Sequence, residues 1–459
     1  MKLTIFALIA YPLLLSLAIL SICFPGFMSY DSLRMLEEAR TAVIGGPYPV
    51  APVYILRLFD IGGHGSTVML EMQNFLLLFS VMLILRTLKV GLFLSIISSL
   101  MILVFPTVIG CMLVLWKDVS FAAMIMLSLS LIFYASVCKS DNSLSQAIKW
   151  SSLIFLFIAT LVRLNAITST GIVFIYWLSV FYQHHNFKVR CAAFFAIVAF
   201  MFAGNNLINS RGFPDMHKLA PNPIFDAIMI NDIIGISGWS RESLVPIDVT
   251  NELPSSKIPI ADIDSVYSSL GALAIADNIK NHDGKIKLFP RKFDNSDLIH
   301  AWLSAIYKHP FAYLQYRCDL FQEIIGAKNH ETFEPTHFEM IDENSFGLKI
   351  QSSEATTFAL DYIKASSNSF WGKPWFFYLL SVLAVVLTYK NKSIQTNLKK
   401  FSYYSFAAAA LYIIPFYFIS GTGEVRYNFP SIILCSSCIF VWIFYRKHMF
   451  FHQANQSSL

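Results

Sequence analysis

Charged residues are scarce in this chain, and their scarcity excludes an ordinary soluble protein. Only 14% of the 459 residues are Asp, Glu, Lys or Arg, whereas 56% are hydrophobic and 41 are phenylalanine. Soluble domains contain about 25% charged residues. Most of the apolar side chains must therefore face lipid or one another within a membrane, and the composition predicts an integral membrane protein.

Signatures of nucleotide, metal, disulfide and nucleic-acid sites are also missing. The chain has no P-loop and no Gly-x-Gly-x-x-Gly segment after a strand. Its seven cysteines give no disulfide framework, and Cys435 and Cys438 form a Cys-x-x-Cys pair only inside an apolar run. The histidines lack metal-ligand spacing. We expect no cofactor, and the sequence leaves a divalent metal open without supporting one. We also expect no nucleic-acid partner, because the distribution of charge matters more than the net charge of +5.

Apolar runs long enough to cross a bilayer as helices recur along the chain. The first run is followed by Phe24-Pro25-Gly26 and not by a small-residue cleavage site, so we expect it to remain as an anchor. Arg163 and Asn165 separate the fifth run from the sixth. The ten predicted transmembrane helices are 3–23, 66–85, 91–112, 119–138, 150–164, 167–183, 191–208, 372–389, 401–420 and 429–445.

Basic residues fall in alternate loops and predict the orientation of these helices. Thirteen of them, against the single acid Asp141, lie in segments that would share the side of the N-terminus. They are Lys2, Arg86, Lys89, Lys139, Lys149, Lys188, Arg190, Lys390, Lys392, Lys399, Lys400, Arg446 and Lys447. Because the whole chain carries only +5, the opposite side is net acidic. Both termini are therefore predicted to be cytoplasmic.

The predicted fold class is an α-helical polytopic membrane protein with about ten transmembrane helices and a mixed outer (periplasmic) domain. The first outer loop, 24–65, contains an amphipathic stretch, and the second half of the outer domain has a helical pattern over 297–327. The cytoplasmic loops are too short for the catalytic domain that a nucleotide-sugar transferase needs. The predicted regions are an N-terminal membrane domain, the outer domain and C-terminal membrane helices, at 1–208, 209–371 and 372–459.

Asp31 follows the first predicted helix at the outer surface, where ionisable groups are costly and tend to serve function. A carboxylate at this place could accept the proton of an acceptor hydroxyl during glycosyl transfer. Alternatively, Ser29 or Asp31 caps the helix that the amphipathic stretch predicts. The spacing is compatible with both interpretations.

Two further outer segments carry cations. Lys117 and Asp118 follow the third predicted helix, where a lysine can bind a lipid phosphate. With Trp116 they could equally be an ordinary interfacial anchor. Arg163 and Asn165 lie between two short apolar runs, and an arginine so close to hydrocarbon needs an anionic partner or must extend to the interface.

The last outer loop, 421–428, combines glycines with a cation. Gly421 and Gly423 allow close backbone approach, and Arg426, next to Tyr427, could hold a phosphate through two guanidinium nitrogens. A simple turn with a flanking Glu424–Arg426 pair explains the same pattern.

Taken together, these motifs resemble the GT-C superfamily of integral-membrane glycosyltransferases, whose donors are polyprenyl-phosphate sugars. The resemblance implies that Asp31 is the acidic catalytic residue of the first outer loop, which would act as the base in an inverting transfer. Ser32 follows Asp31 where many members have a second acid, so the resemblance does not imply a metal. The similar segments, short and spread over most of the chain, are 29–32, 46–52, Gln73, 116–118, 163–165, 302–317 and 426–427.

Among bacterial members, the chain looks most like the O-antigen-modifying glucosyltransferases. That likeness implies the bacterial inner membrane as the location, a glycan or glycolipid acceptor, and membrane lipids as surroundings. The residues expected to bind substrate are Lys117, Asp118, Arg163, Asn165, Arg426 and Tyr427.

Two other functions fit part of the pattern. A lipid-linked oligosaccharide flippase or transporter predicts inverted repeats and charges near the bilayer midplane, whereas this sequence shows no internal repeat and its polar clusters lie at one face. An O-antigen polymerase also has many spans and a large outer loop, but it depends on outer-loop Arg and His residues. The sequence therefore favours sugar transfer at the outer face of the membrane.

The charge asymmetry predicts the result of reporter fusions. Alkaline phosphatase fused near residue 250 should be active, because the enzyme folds only outside the cytoplasm, and fused near residue 395 it should be inactive. β-Galactosidase at the same two positions provides the control and should give the opposite pattern. Activity of the phosphatase near residue 395 alone would reverse the orientation and move the candidate residues to the cytoplasmic side.

Overall fold

A computed structural model describes residues 2–45, 49–138, 142–211, 217–218, 224–244, 295–328 and 344–456. This part of the chain is mostly helical, as predicted. The first helices are α1 Lys2–Cys23, α2 Tyr30–Thr41, α3 Val50–Phe59, α4 Gly65–Thr87, α5 Leu92–Leu103, α6 Pro106–Met112, α7 Lys117–Val137, α8 Asn142–Val162, α9 Ile167–Phe181 and α10 Phe187–Arg211. They are followed by α11 Ile224–Ser240, α12 Asn295–Lys308, α13 Pro310–Ile324, α14 Glu354–Ser367, α15 Pro374–Lys390, α16 Thr396–Ile413, α17 Phe416–Ile419 and α18 Phe429–Gln456.

Two short strands and several 3-10 turns complete the described elements. The strands β1, Val43–Ile44, and β2, His217–Lys218, pair in parallel with Val43 opposite His217. The 3-10 turns are Ile61–Gly63, Leu164–Ala166, Phe370–Gly372 and Val425–Asn428. The amphipathic stretch of the first outer loop forms α2, which confirms the predicted helix there.

Seven helices of the described residues are long and apolar enough to cross a membrane, so the protein is a multi-pass membrane protein. Each predicted apolar run coincides with helix, although α9 and α15 are shorter than a full span. The predicted count of ten is not confirmed. The candidate spans are Phe6–Cys23, Gly65–Thr87, Lys117–Val137, Ser143–Val162, Phe187–Ile208, Thr396–Ile419 and Val425–Tyr445.

Prolines interrupt three segments that the sequence pattern predicted to be continuous. The run 91–112 is divided into α5 and α6, which are bent by 86° and form either a broken span or a re-entrant loop. The bend precedes Pro106, because proline removes a backbone donor and disfavours helical geometry in the residue before it. Pro415 likewise separates α16 from α17, and Pro310 separates α12 from α13.

Helix α7 is enclosed by other helices. Every residue from Lys117 to Ser130 is buried, and the helix packs against α4, α8 and α18. Small side chains such as Ser120, Ala122 and Ala123 allow close approach, as is usual between membrane helices. The polar start of α7 therefore lies in the protein interior.

The chain divides into two compact units. Unit 1 consists of Met1–Ala220, Glu331–Ile413 and Arg426–Leu459, and unit 2 consists of Pro221–His330 and Ile414–Val425. The predicted boundaries at 209 and 371 concern the side of the membrane and remain predictions. The compact units divide the chain elsewhere, because Glu331–Ile413 packs with unit 1.

Unit 2 is organised around a buried ion pair. Asp232 on α11 accepts hydrogen bonds from Arg317 Nη2 at 2.6 Å and Trp302 Nε1 at 2.8 Å, and Arg317 Nη1 donates to the Ser420 carbonyl at 2.7 Å. The Asp232 and Arg317 side chains are both fully buried. Gly235 permits the close packing of α11 on α13, because a Cβ there would lie 2.3 Å from the Tyr316 ring.

Burial raises the pKa of Asp232 to about 6, although the charge of Arg317 acts in the opposite direction. Because this pKa exceeds the value of about 3.9 in an unfolded chain, ionised Asp232 lowers stability above pH 6, and this loss disappears as the pH falls below 4. Replacing Arg317 leaves a buried carboxylate without its cation. Arg317→Met should therefore destabilise unit 2 by about 3–5 kcal/mol near pH 8, and by less at pH 5, where Asp232 is largely protonated.

Limited proteolysis and thermal unfolding of the purified protein at both pH values would measure this difference. Arg241→Met, which changes an exposed arginine of the same unit, is the matched control and should change little. Equal losses at pH 8 and pH 5 for Arg317→Met would contradict the role of the Asp232 charge.

Candidate substrate-binding site

Asp31 is the second residue of α2, and its carboxylate faces two cations. Its Oδ2 lies 2.7 Å from Arg426 Nη2 and 3.6 Å from Lys117 Nζ. Ser29 occupies the N-cap position, and its backbone N–H donates to Ser32 Oγ at 3.3 Å. The helix is thus capped by Ser29, while the Asp31 side chain is engaged in ion pairs.

Backbone pairing holds the segment before Asp31 against the segment before Lys117. The Phe27 N–H donates to the Leu113 carbonyl at 3.1 Å, and the Leu115 N–H donates to the Phe27 carbonyl at 3.0 Å. Ser32 Oγ also donates to the Leu115 carbonyl at 2.6 Å. The non-helical chain between α6 and α7 is therefore fixed to the segment that follows α1, which brings Lys117 close to Asp31.

Two buried amides of α4 support the same non-helical chain. Gln73 Nε2 donates to the Val114 carbonyl at 3.0 Å, and its Oε1 accepts from Ser120 Oγ at 2.9 Å. Asn74 Nδ2 donates to the Met112 carbonyl at 2.9 Å. Backbone carbonyls outside a helix need such donors at membrane depth, because no water is present to satisfy them. Gln73, one of the residues that carry the family resemblance, thus has a supporting role here.

Arg163 has an anionic partner that sequence reasoning did not identify. Its Nη2 lies 2.5 Å from Asp118 Oδ1, and its Nε donates to the Tyr412 hydroxyl at 3.2 Å. Asp118 is fully buried in the first turn of α7, where the helix dipole favours a negative charge. Burial alone would lower the pKa of Arg163, but Asp118, Tyr412 and Tyr427 together outweigh burial and raise that pKa above its ordinary value.

Aromatic rings lie beside both guanidinium groups. The Tyr427 centroid is 5.2 Å from the Cζ of Arg163 and 5.6 Å from the Cζ of Arg426. Arg426 also lies 5.3 Å from the Trp116 ring, whose Nε1 donates to Ser29 Oγ at 3.0 Å. Such cation–π contacts orient the arginines without neutralising them.

Six of the seven predicted site residues therefore lie together. We call the five ionised ones the charge cluster: Asp31, Lys117, Asp118, Arg163 and Arg426. Tyr427 contacts the cluster through its ring. The charge cluster as defined here contains three cations and two carboxylates.

Asn165 is the predicted residue that the structure does not join to this cluster. It lies in the 3-10 turn Leu164–Ala166, and its carbonyl accepts from Thr168 Oγ1 at 3.1 Å. Its side-chain Nδ2 is buried and has no hydrogen-bond partner among the residues that the structure describes.

The charge cluster lies at the ends of candidate membrane spans. Lys117 begins the span Lys117–Val137, Arg163 follows Ser143–Val162, and Arg426 is the second residue of Val425–Tyr445. The members differ in access to solvent, since the Asp31 side chain is 24% exposed whereas that of Asp118 is fully buried. Asp31 is therefore the most exposed member of the cluster.

Tyr412 is the participant that the sequence analysis missed. It lies inside an apolar run, its ring stacks on Phe121 at 5.0 Å, and its hydroxyl accepts from Arg163. A single hydroxyl in a membrane helix does not by itself indicate a functional site. Tyr412 is identified only by its hydrogen bond from Arg163, which is distant in sequence. In the described ranges no group of three or more His, Cys, Asp or Glu side chains is arranged to hold a metal ion.

Comparison with protein-family models, with curated proteins and with solved structures finds no match for this chain.

Proposed function

We propose that the protein transfers a sugar from a polyprenyl-phosphate donor to a glycan or glycolipid acceptor, as GT-C glycosyltransferases do. The observation that carries the proposal is Asp31, a partly exposed carboxylate held by Lys117 and Arg426 at the boundary of membrane spans. A lipid-linked phosphate is the anion that reaches this depth, because its prenyl chain lies in the bilayer.

The cations supply charge stabilisation for the leaving group. The bond between the anomeric carbon and the phosphate oxygen breaks, and polyprenyl phosphate leaves with the electron pair. Lys117 and Arg426 stabilise the negative charge that develops on the phosphate, with Arg163 adding to the positive field. Because Asp118 and Tyr412 hold Arg163 in a fixed orientation, this field exists before the donor binds.

Asp31 is the proposed general base. It takes the proton of the acceptor hydroxyl while that oxygen bonds to the anomeric carbon from the face opposite the phosphate, which inverts the configuration. Tyr427, between the two arginines, and the buried amide of Asn165 are proposed to contact the donor.

The proposed setting is the periplasmic face of the bacterial inner membrane. It rests on the predicted orientation, with both termini cytoplasmic, about ten transmembrane helices and the outer domain 209–371 in the periplasm. The proposed acceptor class is the lipopolysaccharide O-antigen. A flippase is the second candidate, because the bent pair α5 and α6 is the kind of broken helix that transporters contain; lipid flipping by vesicles that show no sugar transfer would favour it.

Asp31→Asn tests the base. The substitution keeps the side-chain shape but removes the carboxylate that pairs with Lys117 and Arg426, so thermal unfolding is measured beside sugar transfer, which should fall by about 100-fold or more in the folded variant. Transfer from a fluorescent or radiolabelled polyprenyl-phosphate sugar by purified protein is the measurement. Glu37→Gln on the same helix, with 51% of its side chain exposed, is the matched control and should remain active. Near-normal transfer by Asp31→Asn would remove Asp31 from the chemistry.

Lys117→Gln and Arg426→Gln in the same assay test the phosphate contacts and should raise the donor KM. Arg163→Gln is less informative, since it leaves Asp118 buried without its cation and therefore destabilises the fold.

A further inference from the structure

The two sets of ion pairs in the charge cluster differ in how easily they can be exchanged. In the Asp118–Arg163 pair the Asp118 side chain is fully buried, and Arg163 also donates a hydrogen bond to the Tyr412 hydroxyl. Asp31, by contrast, is the most exposed of the five residues and lies against Lys117 and Arg426. An anion can therefore replace the Asp31 carboxylate on its two cations, whereas the Asp118–Arg163 pair stays in place.

We infer that Asp31 and the phosphate of the lipid compete for Lys117 and Arg426, so that each binding event exchanges one ion pair for another. This inference rests on the proposed function for the identity of the ligand. When no phosphate is bound, both cations pair with Asp31. This pairing lowers the affinity of the carboxylate for a proton and so keeps it ionised. When a phosphate takes the cations, Asp31 loses that stabilisation and becomes the stronger base that proton transfer requires.

The same exchange assists product release. After transfer Asp31 carries the acceptor proton, and the product phosphate, now a monoester, has more negative charge than the donor diester. Such a product would remain bound to the cations of the cluster. Once Asp31 gives its proton to water, its carboxylate competes for Lys117 and Arg426 again and displaces the product.

Phosphate affinity tests the competition. Titration of purified protein with a short-chain polyprenyl phosphate in micelles should give a Kd that is about fivefold lower for Asp31→Asn than for the unmodified chain, as expected from losing one partly exposed competing ion pair. Asp31→Ala should show the same direction, and Glu37→Gln should leave the Kd unchanged. Inorganic phosphate in a parallel titration distinguishes a general anion site from one that also needs the lipid chain.

The outcomes separate this inference from the proposed function. Equal or weaker phosphate binding by both Asp31 variants, with normal binding and transfer by the unmodified chain, would overturn the competition and leave the transferase intact. If the unmodified chain transfers no sugar and the Asp31 variants bind phosphate more tightly than it does, the competition is supported and the transferase proposal is overturned. Failure of the unmodified chain to bind either phosphate would overturn both.

A second inference concerns the exposed face of α12 in unit 2. Leu298 and Ala305 are buried in the core of this unit, so the opposite side of the helix is accessible. At about 100° per residue, the accessible side divides into an apolar half and a polar half. The apolar half consists of Ile299, Leu303 and Tyr307, and the polar half consists of His300, Ser304 and Lys308.

The apolar half continues through exposed side chains at the start of α13, a helix that contacts α17 of the same unit. Tyr307 is 88% exposed, and Phe311, the second residue of α13, is 80% exposed. Leu314, also exposed, accepts a hydrogen bond through its carbonyl from the Tyr417 hydroxyl at 3.0 Å. Tyr417 lies in α17, at the end of the candidate span Thr396–Ile419, where the side chains of Phe418 and Ile419 are exposed.

The geometry points to the lipid surface as the partner of this face: α12 and the start of α13 lie in the membrane interface with Leu303, Tyr307 and Phe311 in the acyl region. Aromatic and aliphatic side chains on one half, with histidine and lysine on the other, are the pattern of an interfacial helix. The arrangement would hold unit 2, including the segment Ile414–Val425 that leads into Arg426, at a fixed depth.

Photo-crosslinking in native-like vesicles of phosphatidylethanolamine and phosphatidylglycerol tests this placement. Benzoylphenylalanine at position 303, 307 or 311 should give lipid adducts by mass spectrometry, whereas the same group at position 304 or 308 should not. The adjacent polar positions are matched controls on the same helix. Protein adducts at position 307, or equal lipid labelling of all five positions, would overturn the proposal, as would an absence of adducts at 303, 307 and 311.

Discussion

A charge close to the hydrocarbon of a membrane needs an opposite charge beside it, because an unpaired buried ion costs several kcal/mol. Asp118 and Arg163 meet this requirement for each other at 2.5 Å. Asp118 lies in the first turn of α7 and Arg163 directly follows α8, so the pair forms only when the start of α7 and the end of α8 lie at the same level. Asp31 on α2 requires the same of two cations: Lys117, the first residue of α7, and Arg426, in the 3-10 turn before α18. Charge pairing therefore fixes the relative positions of four segments that are distant in sequence, and the remaining packing of unit 1 is built to be compatible with it.

The sequence predicted those parts of the structure that depend on local chemistry. The length of an apolar run predicts a membrane helix, and the polar residues next to a run predict where it ends, so Asp31, Lys117, Arg163 and Arg426 could be identified individually. Their predicted location on one side also implied that they could meet. The charge asymmetry from which that side was inferred is a property of loops, and it needs no knowledge of how the helices pack.

The pairings themselves could not be predicted, because they depend on distances between helices. Nothing in one sequence connects Asp118 to Arg163 or Tyr412, and a turn with a local Glu424–Arg426 pair explained the last loop equally well. The distant Asp31 carboxylate is a partner of Arg426. The bend between α5 and α6 was overlooked for a different reason. The apolar composition of 91–112 is continuous and predicts a single helix. Pro106 is the local feature that indicates the bend.

The hydrogen bonds that hold the backbone beside the charge cluster involve different groups from the ion pairs within it. The backbone can therefore stay fixed while an ion pair changes partners. Hydrogen bonds between the Phe27 and Leu115 backbones, together with the amides of Gln73 and Asn74, fix the chain up to Lys117. These bonds involve no ionised group, so they are unaffected when charges in the site change partners. The side chains of Lys117 and Arg426 are long enough to move from a carboxylate to a phosphate by rotation about their own bonds. In the proposed transferase a phosphate would therefore bind without backbone movement, while the buried Asp118–Arg163 pair holds the start of α7 and the end of α8 in place.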